Sequence, residues 1–157
     1  MDFQIRPAQA SDAAALTALI MDIGWFQHHF EGLSGEAAQE RIGRMLSLAL
    51  ADSSHSLYVA EDSAQVIVGY VSVHWLPYLF FSGPEGFVSE LFIREAARGQ
   101  SVGKQLLETV KTEAVERGCA RLSLINMRQR ESYQRGFYQQ CDWEERPEAA
   151  NFVLRLR

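Results

Sequence analysis

Arg98-Gly-Gln-Ser-Val-Gly-Lys104 stands between two apolar patterns of different period. Ahead of it, Phe87, Val88, Leu91, Phe92 and Ile93 form a run suited to a buried strand. Behind it, Val102, Leu106, Leu107, Val110, Ala114 and Val115 recur at helical spacing. A strand that feeds a helix through a loop of small residues presents free backbone N–H groups at the helix N-terminus. Those groups and the helix dipole attract an anion, most often a phosphate. A nucleotide P-loop requires G-x-x-x-x-G-K followed by Ser or Thr. Here Gly99 and Gly103 are one residue too close, and Gln105 stands where a magnesium-binding hydroxyl belongs. That reading is excluded, and a different phosphate loop is expected.

Other chemistry-bearing residues are sparser. His28 and His29 are adjacent, so on a helix or strand they do not share a face, and no carboxylate or cysteine partners stand at ligand spacing. No metal site is expected. Cys119 and Cys141 have no neighbouring histidine to activate them and read as free thiols of a reducing cytoplasm. A net charge of −5 argues against a nucleic-acid surface. Hydrophobic content of 47% and charged content of 22% fit a soluble globular chain. The N-terminus shows no signal peptide, and the most apolar window, residues 66–81, is broken by Gly69, His74 and Pro77. A cytoplasmic protein with no membrane partner is expected.

The 157 residues suit one domain, residues 1–157, with a real core. Phe3–Arg6 reads as a strand ended by Pro7. Ser11 or Asp12 caps a helix that stops at Gly24, and Ser34 caps a second from about Glu36. Leu57–Ala60 and Val66–Trp75 form a hairpin, followed by the Phe87–Ile93 strand and the helix that Gly118 ends. Arg121–Ile125 follows through that helix, so these two strands are parallel neighbours by a right-handed crossover. A last helix over about Glu131–Gln140 precedes strands at Trp143–Glu145 and Asn151–Leu156.

This order resembles the GNAT acetyltransferase superfamily from end to end. The loop fits that family's pyrophosphate pattern at Arg98 and Gly103, with Ser101 where Gly is usual. Ile5-Arg6-x-Ala8 with Asp12 resembles its opening, and Arg130–Trp143 resembles its last helix, with Phe137-Tyr138 as the aromatic-Tyr pair. Glu131, Gln134 and Asp142 depart from the family pattern, and Gly136 is unusual inside a helix. The resemblance implies a mixed α/β fold: a mostly antiparallel sheet of six to seven strands with a splayed parallel central pair, flanked by four helices.

It also implies acetyl transfer from acetyl-CoA to an amine by direct attack in a ternary complex. A primary amine with a pKa of about 10.4 must lose a proton before attacking a thioester. Glu90 is the candidate base, directed with Phe92 and away from Leu91 unless a bulge re-aims it. Tyr138 matches the general acid that serves the leaving thiolate. Leu91, Phe92 and Ile93 would bind the cofactor along the opened strand edge, with an N–H near Leu91 or Phe92 facing the developing oxyanion. Arg98, Gly99, Gln100, Ser101, Val102, Gly103 and Lys104 would hold its pyrophosphate, with Asn126 and Tyr138 as further contacts. Trp25, Phe26, His29, Phe30, His74, Trp75 and Tyr78 are candidates for the acceptor pocket, core packing or a dimer contact. The expected acceptor is a small-molecule or peptide amine, and homodimers are frequent in the family. Two other readings stay open: an acyl-CoA-binding regulatory module without turnover, and an interaction domain whose cofactor site is vestigial.

Overall fold

The computed structural model describes residues 2–157 and resolves them into two compact units, the first ending at Leu124 and the second spanning Ile125–Arg157. In the first unit β1 (Gln4–Pro7), β2 (His55–Glu61), β3 (Ile67–Leu76), β4 (Glu85–Ile93) and β5 (Arg121–Leu124) form one sheet in the order β1-β2-β3-β4-β5. The first three pairings are antiparallel, and β4–β5 is parallel. Three helices belong to this unit: α1 (Ala13–Ile23), α2 (Gly35–Ala49) and α3 (Val102–Glu116).

Local chemistry sets the helix ends. Ser34 accepts a hydrogen bond from the Ala37 N–H and starts α2. Gly24, at φ 77°, takes the left-handed turn that ends α1. The start of α1 is held from outside the helix. Asp12 accepts from the Gln9 N–H and from Arg6, and Arg6 also donates to Glu61 on β2. Those Arg6 hydrogen bonds hold the Asp12 carboxyl below its usual range, against burial that would raise it.

The core has two sides because the sheet is covered on both faces. Leu57, Val59 and Tyr70 pack with Leu16, Leu19 and Leu46 of α1 and α2. On the other face stand Tyr58, Val71, Val73 and Trp75, with the buried Val102, Leu106 and Val110 of α3. There Glu113 of α3 accepts hydrogen bonds from Ser56 and Tyr58 at 2.7 Å and from Arg117 at 2.9 Å. Burial alone would raise the Glu113 carboxyl; the bonds from Tyr58, Ser56 and Arg117 together hold it down. The parallel pair is locked by the buried Glu85, which accepts from Arg121 and from the Ser123 hydroxyl.

The second unit differs from the sequence reading in two ways. The expected helix over Glu131–Gln140 is only α4, Glu131–Gln134, followed by a 3-10 turn at Gln139–Cys141. Gly136, at φ 66°, interrupts it, since a left-handed residue cannot continue a right-handed helix. The strands expected at Trp143–Glu145 and Asn151–Leu156 do not form, so the described sheet has five strands rather than six or seven. Alternation specifies which face a strand would bury, but a strand needs a hydrogen-bonding partner. Here Glu144-Glu145-Arg146-Pro147 breaks the segment, and Phe152, Val153, Leu154 and Leu156 stay exposed. Among the described residues no helix is long and apolar enough to cross a membrane.

Leu106 is fully buried and Leu79 is fully exposed. Leu106→Ala should therefore lower unfolding free energy by about 2–5 kcal/mol in a denaturant titration. Leu79→Ala should change it by no more than about 0.5 kcal/mol.

Candidate active site

The β3–β4 pairing contains a one-residue irregularity that shapes the site. Ser72 stands opposite Glu90, whereas Val73 stands opposite Val88, so Ser89 is the extra residue of a β-bulge. Without it, Val88 and Glu90 would share a face. With it, Val88 is buried beside Val73 while Glu90 joins Tyr70, Ser72 and Phe92 on the face toward α1 and α2. That face opens into a cavity of about 690 Å³. Its remaining walls come from α1, α2 and the aromatic turn between them, including Ile20, Phe26, Phe30, Ile42 and Leu46.

Glu90 sits in this cavity beside the Tyr70 hydroxyl. Its side chain is solvent-accessible, yet the protein atoms crowded around the carboxyl still desolvate it. This crowding raises its carboxyl above the usual range, and the Tyr70 hydrogen bond only partly opposes the rise. A carboxyl raised above its ordinary range is a stronger proton acceptor, once ionised, than a free one. Burial also drives up the Tyr70 hydroxyl, so it remains a donor.

A second polar group lines the same cavity. His74 Nε2 lies 2.8 Å from the Ser89 hydroxyl, and the His74 ring is 4.4 Å from that of His55. His55 Nδ1 is 2.8 Å from the Ser54 hydroxyl, which donates to Asp52. Desolvation, with His55 alongside, lowers the His74 pKa and favours its neutral imidazole.

Among the described strands, β4 has no second partner along the stretch next to the cavity. Pairing with β5 ends at Val88–Leu124, so from Ser89 onward β4 is hydrogen-bonded to a strand only on its β3 side. Leu91, Phe92 and Ile93 lie along this length, and a 3-10 turn at Glu95–Ala97 leads to the loop. Ser101 precedes α3 at φ 63°, in the left-handed region that glycine favours, which accounts for the family's usual Gly there. No side chain caps α3, and its first N–H groups, those of Val102, Gly103 and Lys104, have no intrahelical acceptor. Such free N–H groups at a helix start are donors that an anion could accept. The Arg98 guanidinium lies over the Trp25 ring at 5.5 Å.

Of the residues read from sequence as acceptor-pocket candidates, Phe26, His29, Phe30 and His74 line the cavity. Trp25 supports it from behind, edge-on to Phe92 at 6.0 Å and to Phe26 at 6.5 Å. Trp75 does not line it. Strand alternation turns Trp75 to the α3 face, where its indole N–H donates to Ser56 and Arg117 lies over its ring. Tyr78 packs with Phe80 and Phe81 in the loop after β3, away from the cavity. In the second unit, Asn126 accepts from the Ser132 hydroxyl at 3.1 Å. Tyr138 packs against Phe137 and Trp143, and burial pushes its hydroxyl pKa to about 12. Sequence reasoning missed Tyr70, Ser72, Ser89, His55 and Arg41 as cavity residues. The signal for two of them was present, because Tyr70 and Ser72 share the parity of His74 along β3.

A sequence model of the acetyltransferase (GNAT) family matches residues 20–143. The chain belongs to this family. No curated protein matches it by sequence. Solved GNAT-like structures give the fold over nearly the whole length. A transcriptional regulator from Bacillus halodurans C-125 is 25% identical, with TM-score 0.82 over 98% of this chain and 100% of its own. Glucosamine-6-phosphate N-acetyltransferase from Arabidopsis thaliana is 18% identical, with TM-score 0.77 over 100% of both chains. AAC(6')-Iy, solved with the bisubstrate analog CoA-S-monomethyl-acetylneamine, is 18% identical, with TM-score 0.74 over 99% of both. Membership supports an acetyltransferase, and acyl-CoA-dependent N-acetylation is the activity consistent with the family. Among the described residues no group of three or more His, Cys, Asp or Glu could hold a metal ion.

The raised Glu90 carboxyl has a stability consequence. The native state keeps that proton to higher pH than the unfolded chain does, so stability falls as pH rises from the ordinary carboxylate range through the native pKa. Glu90→Gln should therefore unfold at a higher temperature than the parent at about pH 7, and the difference should shrink toward zero near pH 4. Parallel melting curves across pH provide the check.

Proposed function

We propose that this acetyltransferase moves the acetyl group of acetyl-CoA to an amine of a small molecule or peptide by direct attack, with Glu90 as general base. One observation carries the proposal. A single carboxyl with a raised pKa faces an apolar cavity beside the open edge of β4. Residues Leu91–Ile93 would hold the cofactor's arm along that edge, and Arg98–Lys104 its pyrophosphate. The uncapped α3 terminus and the missing strand partner fit such a group. Bound acetyl-CoA supplies an activated acyl carbon.

This chain's residues then do the rest. Glu90 takes the proton that the attacking ammonium must lose. The amine nitrogen forms the new C–N bond as the C–S bond breaks. A backbone N–H near Leu91 or Phe92 donates to the carbonyl oxygen as it gains charge. The departing thiolate takes up a proton, for which the family resemblance nominates Tyr138. The products are the N-acetyl amide and CoA. A cytoplasmic setting and a homodimer belong to the same reading and rest on the resemblance and the free thiols.

Thermal shift with acetyl-CoA, CoA and ATP in parallel tests the cofactor. A ligand at a hundred times its Kd stabilises by about 2.7 kcal/mol, or several degrees for a domain of this size. Both CoA species should raise the melting temperature and ATP should not; no shift with either CoA species would overturn the proposal. In an acceptor assay Glu90→Gln should lower kcat by about 10²–10⁴-fold while keeping the acetyl-CoA shift. The acidic limb of the parent's kcat/KM profile should lie above the ordinary carboxylate range.

A further inference from the structure

The cavity next to Glu90 has a charge and polarity pattern that discriminates among amines. Its lining contains one carboxyl, Glu90, and one guanidinium, Arg41. Arg41 Nη1 donates to the His29 carbonyl at 2.5 Å, and the guanidinium lies over the Phe30 ring at 5.4 Å. Neither partner is anionic, so the positive charge of Arg41 stands on the cavity wall without a counter-charge from them. Several polar side chains of the lining are already engaged, Ser89 by His74 and His55 by Ser54, and the Tyr70 hydroxyl lies beside Glu90; Ser72 and His29 are the others. Much of the remaining wall is hydrocarbon and aromatic, from Phe26, Ile42, Leu46 and Phe92. Two further lining residues on α2, Met45 and Leu48, are 56% and 64% exposed. Apolar side chains left in water around a concave site gain most from an apolar ligand.

Each acceptor class can be weighed against this wall. A polyamine or aminoglycoside brings several ammonium groups. The cavity offers one carboxyl, which the chemistry needs as base, and Arg41 repels the rest. An amino-sugar phosphate brings hydroxyls and a dianion. Arg41 could meet the dianion, but most of the hydroxyls would lose water against the Phe26, Ile42, Leu46 and Phe92 wall, where few hydrogen-bond partners stand. A monoamine on an aliphatic or aryl body meets no such cost. Its one nitrogen goes to Glu90 and its body covers the α1–α2 wall.

We infer that the acceptor is a small primary monoamine carried on an apolar alkyl or aryl body, held by the Phe26–Ile42–Met45–Leu46–Phe92 wall with its nitrogen at Glu90. The inference rests on the acetyl-transfer reading and narrows it. Each turnover converts the amine to its N-acetyl amide and releases CoA as the thiol, so no further reactant is required.

The test uses the full chain with acetyl-CoA and reads thiol release. The acceptors are the n-alkylamines from butyl to octyl, phenethylamine, spermidine, glucosamine 6-phosphate and a peptide with one lysine. Binding of the same compounds without cofactor is read separately by calorimetry. Along the alkyl series kcat/KM should climb by about fourfold per added methylene until the cavity is filled. Hexylamine should exceed spermidine and the sugar phosphate by at least about tenfold, and calorimetry should give the same order. Met45→Glu, a substitution at an exposed helical position, should reduce the hexylamine-to-spermidine ratio by about tenfold. If that variant misfolds, the alkyl series on the parent decides alone. A flat alkyl series overturns the inference, as does a preference for spermidine, the sugar phosphate or the lysyl peptide, while acetyl transfer stands. An acetyl-CoA shift with no apolar amine bound or consumed also overturns it. Absence of any shift with CoA species removes the reading beneath it, a different result.

Discussion

The bulge at Ser89 is the constraint on which the site depends. One extra residue in β4 lets Val88 face the α3 core and Glu90 face the cavity, although they are two residues apart. An unbroken alternation would bury Glu90 under α3 or expose Val88 in the cavity. The same strand loses its β5 partner at Val88, immediately before the bulge. The proposed base in a pocket and the strand edge proposed to take a cofactor arm thus arise at one point on one strand. The rest of the first unit holds that point in place: Glu85 ties down the paired half of β4, and Tyr70 contacts Glu90 from β3.

Much of this was readable in the chain, and the exceptions have physical causes. The parallel β4–β5 pair followed from strand–helix–strand order. The ends of α1, α2 and α3 followed from Gly24, Ser34 and Gly118. These signals are local, involving a cap, a turn or a period. The turn before α3 was legible for the same reason, with Ser101 in the left-handed backbone region where the resembling pattern has Gly. What failed was non-local. Trp143–Glu145 and Asn151–Leu156 carry strand-like alternation without forming strands, because pairing depends on a partner that alternation does not specify. Trp75 was read with the aromatic loop residues bordering the acceptor site, but it lies on β3, where alternation turns it to the face opposite His74. Arg41 and His55 came into the cavity through helix and hairpin packing, which no spacing along the chain announced. Gly136 was flagged as odd inside a helix, and the helix breaks there.

Stability and chemistry pull against each other in the first unit. Glu113, unlike the accessible Glu90, is partly buried, but three donors hold it ionised, and it fastens α3 to β2. Glu90 has the Tyr70 hydroxyl and a cavity. The first arrangement favours a fixed charge and a firm structure. The second leaves a proton that can be exchanged. Sequence composition makes no distinction between these glutamates; the number of donors facing each one does.

Trp25 touches both halves of the proposed site, standing edge-on to Phe92 in the cavity wall and beneath the guanidinium of Arg98 at the loop. An indole's emission responds to a cation over its ring and to the polarity around it. Any anion that draws Arg98 toward the α3 terminus would alter that environment, and so would a ligand that displaces water near Phe92. The fold therefore contains an intrinsic chromophore at the junction of the two proposed ligand regions, so occupancy of either could be followed by light without a label.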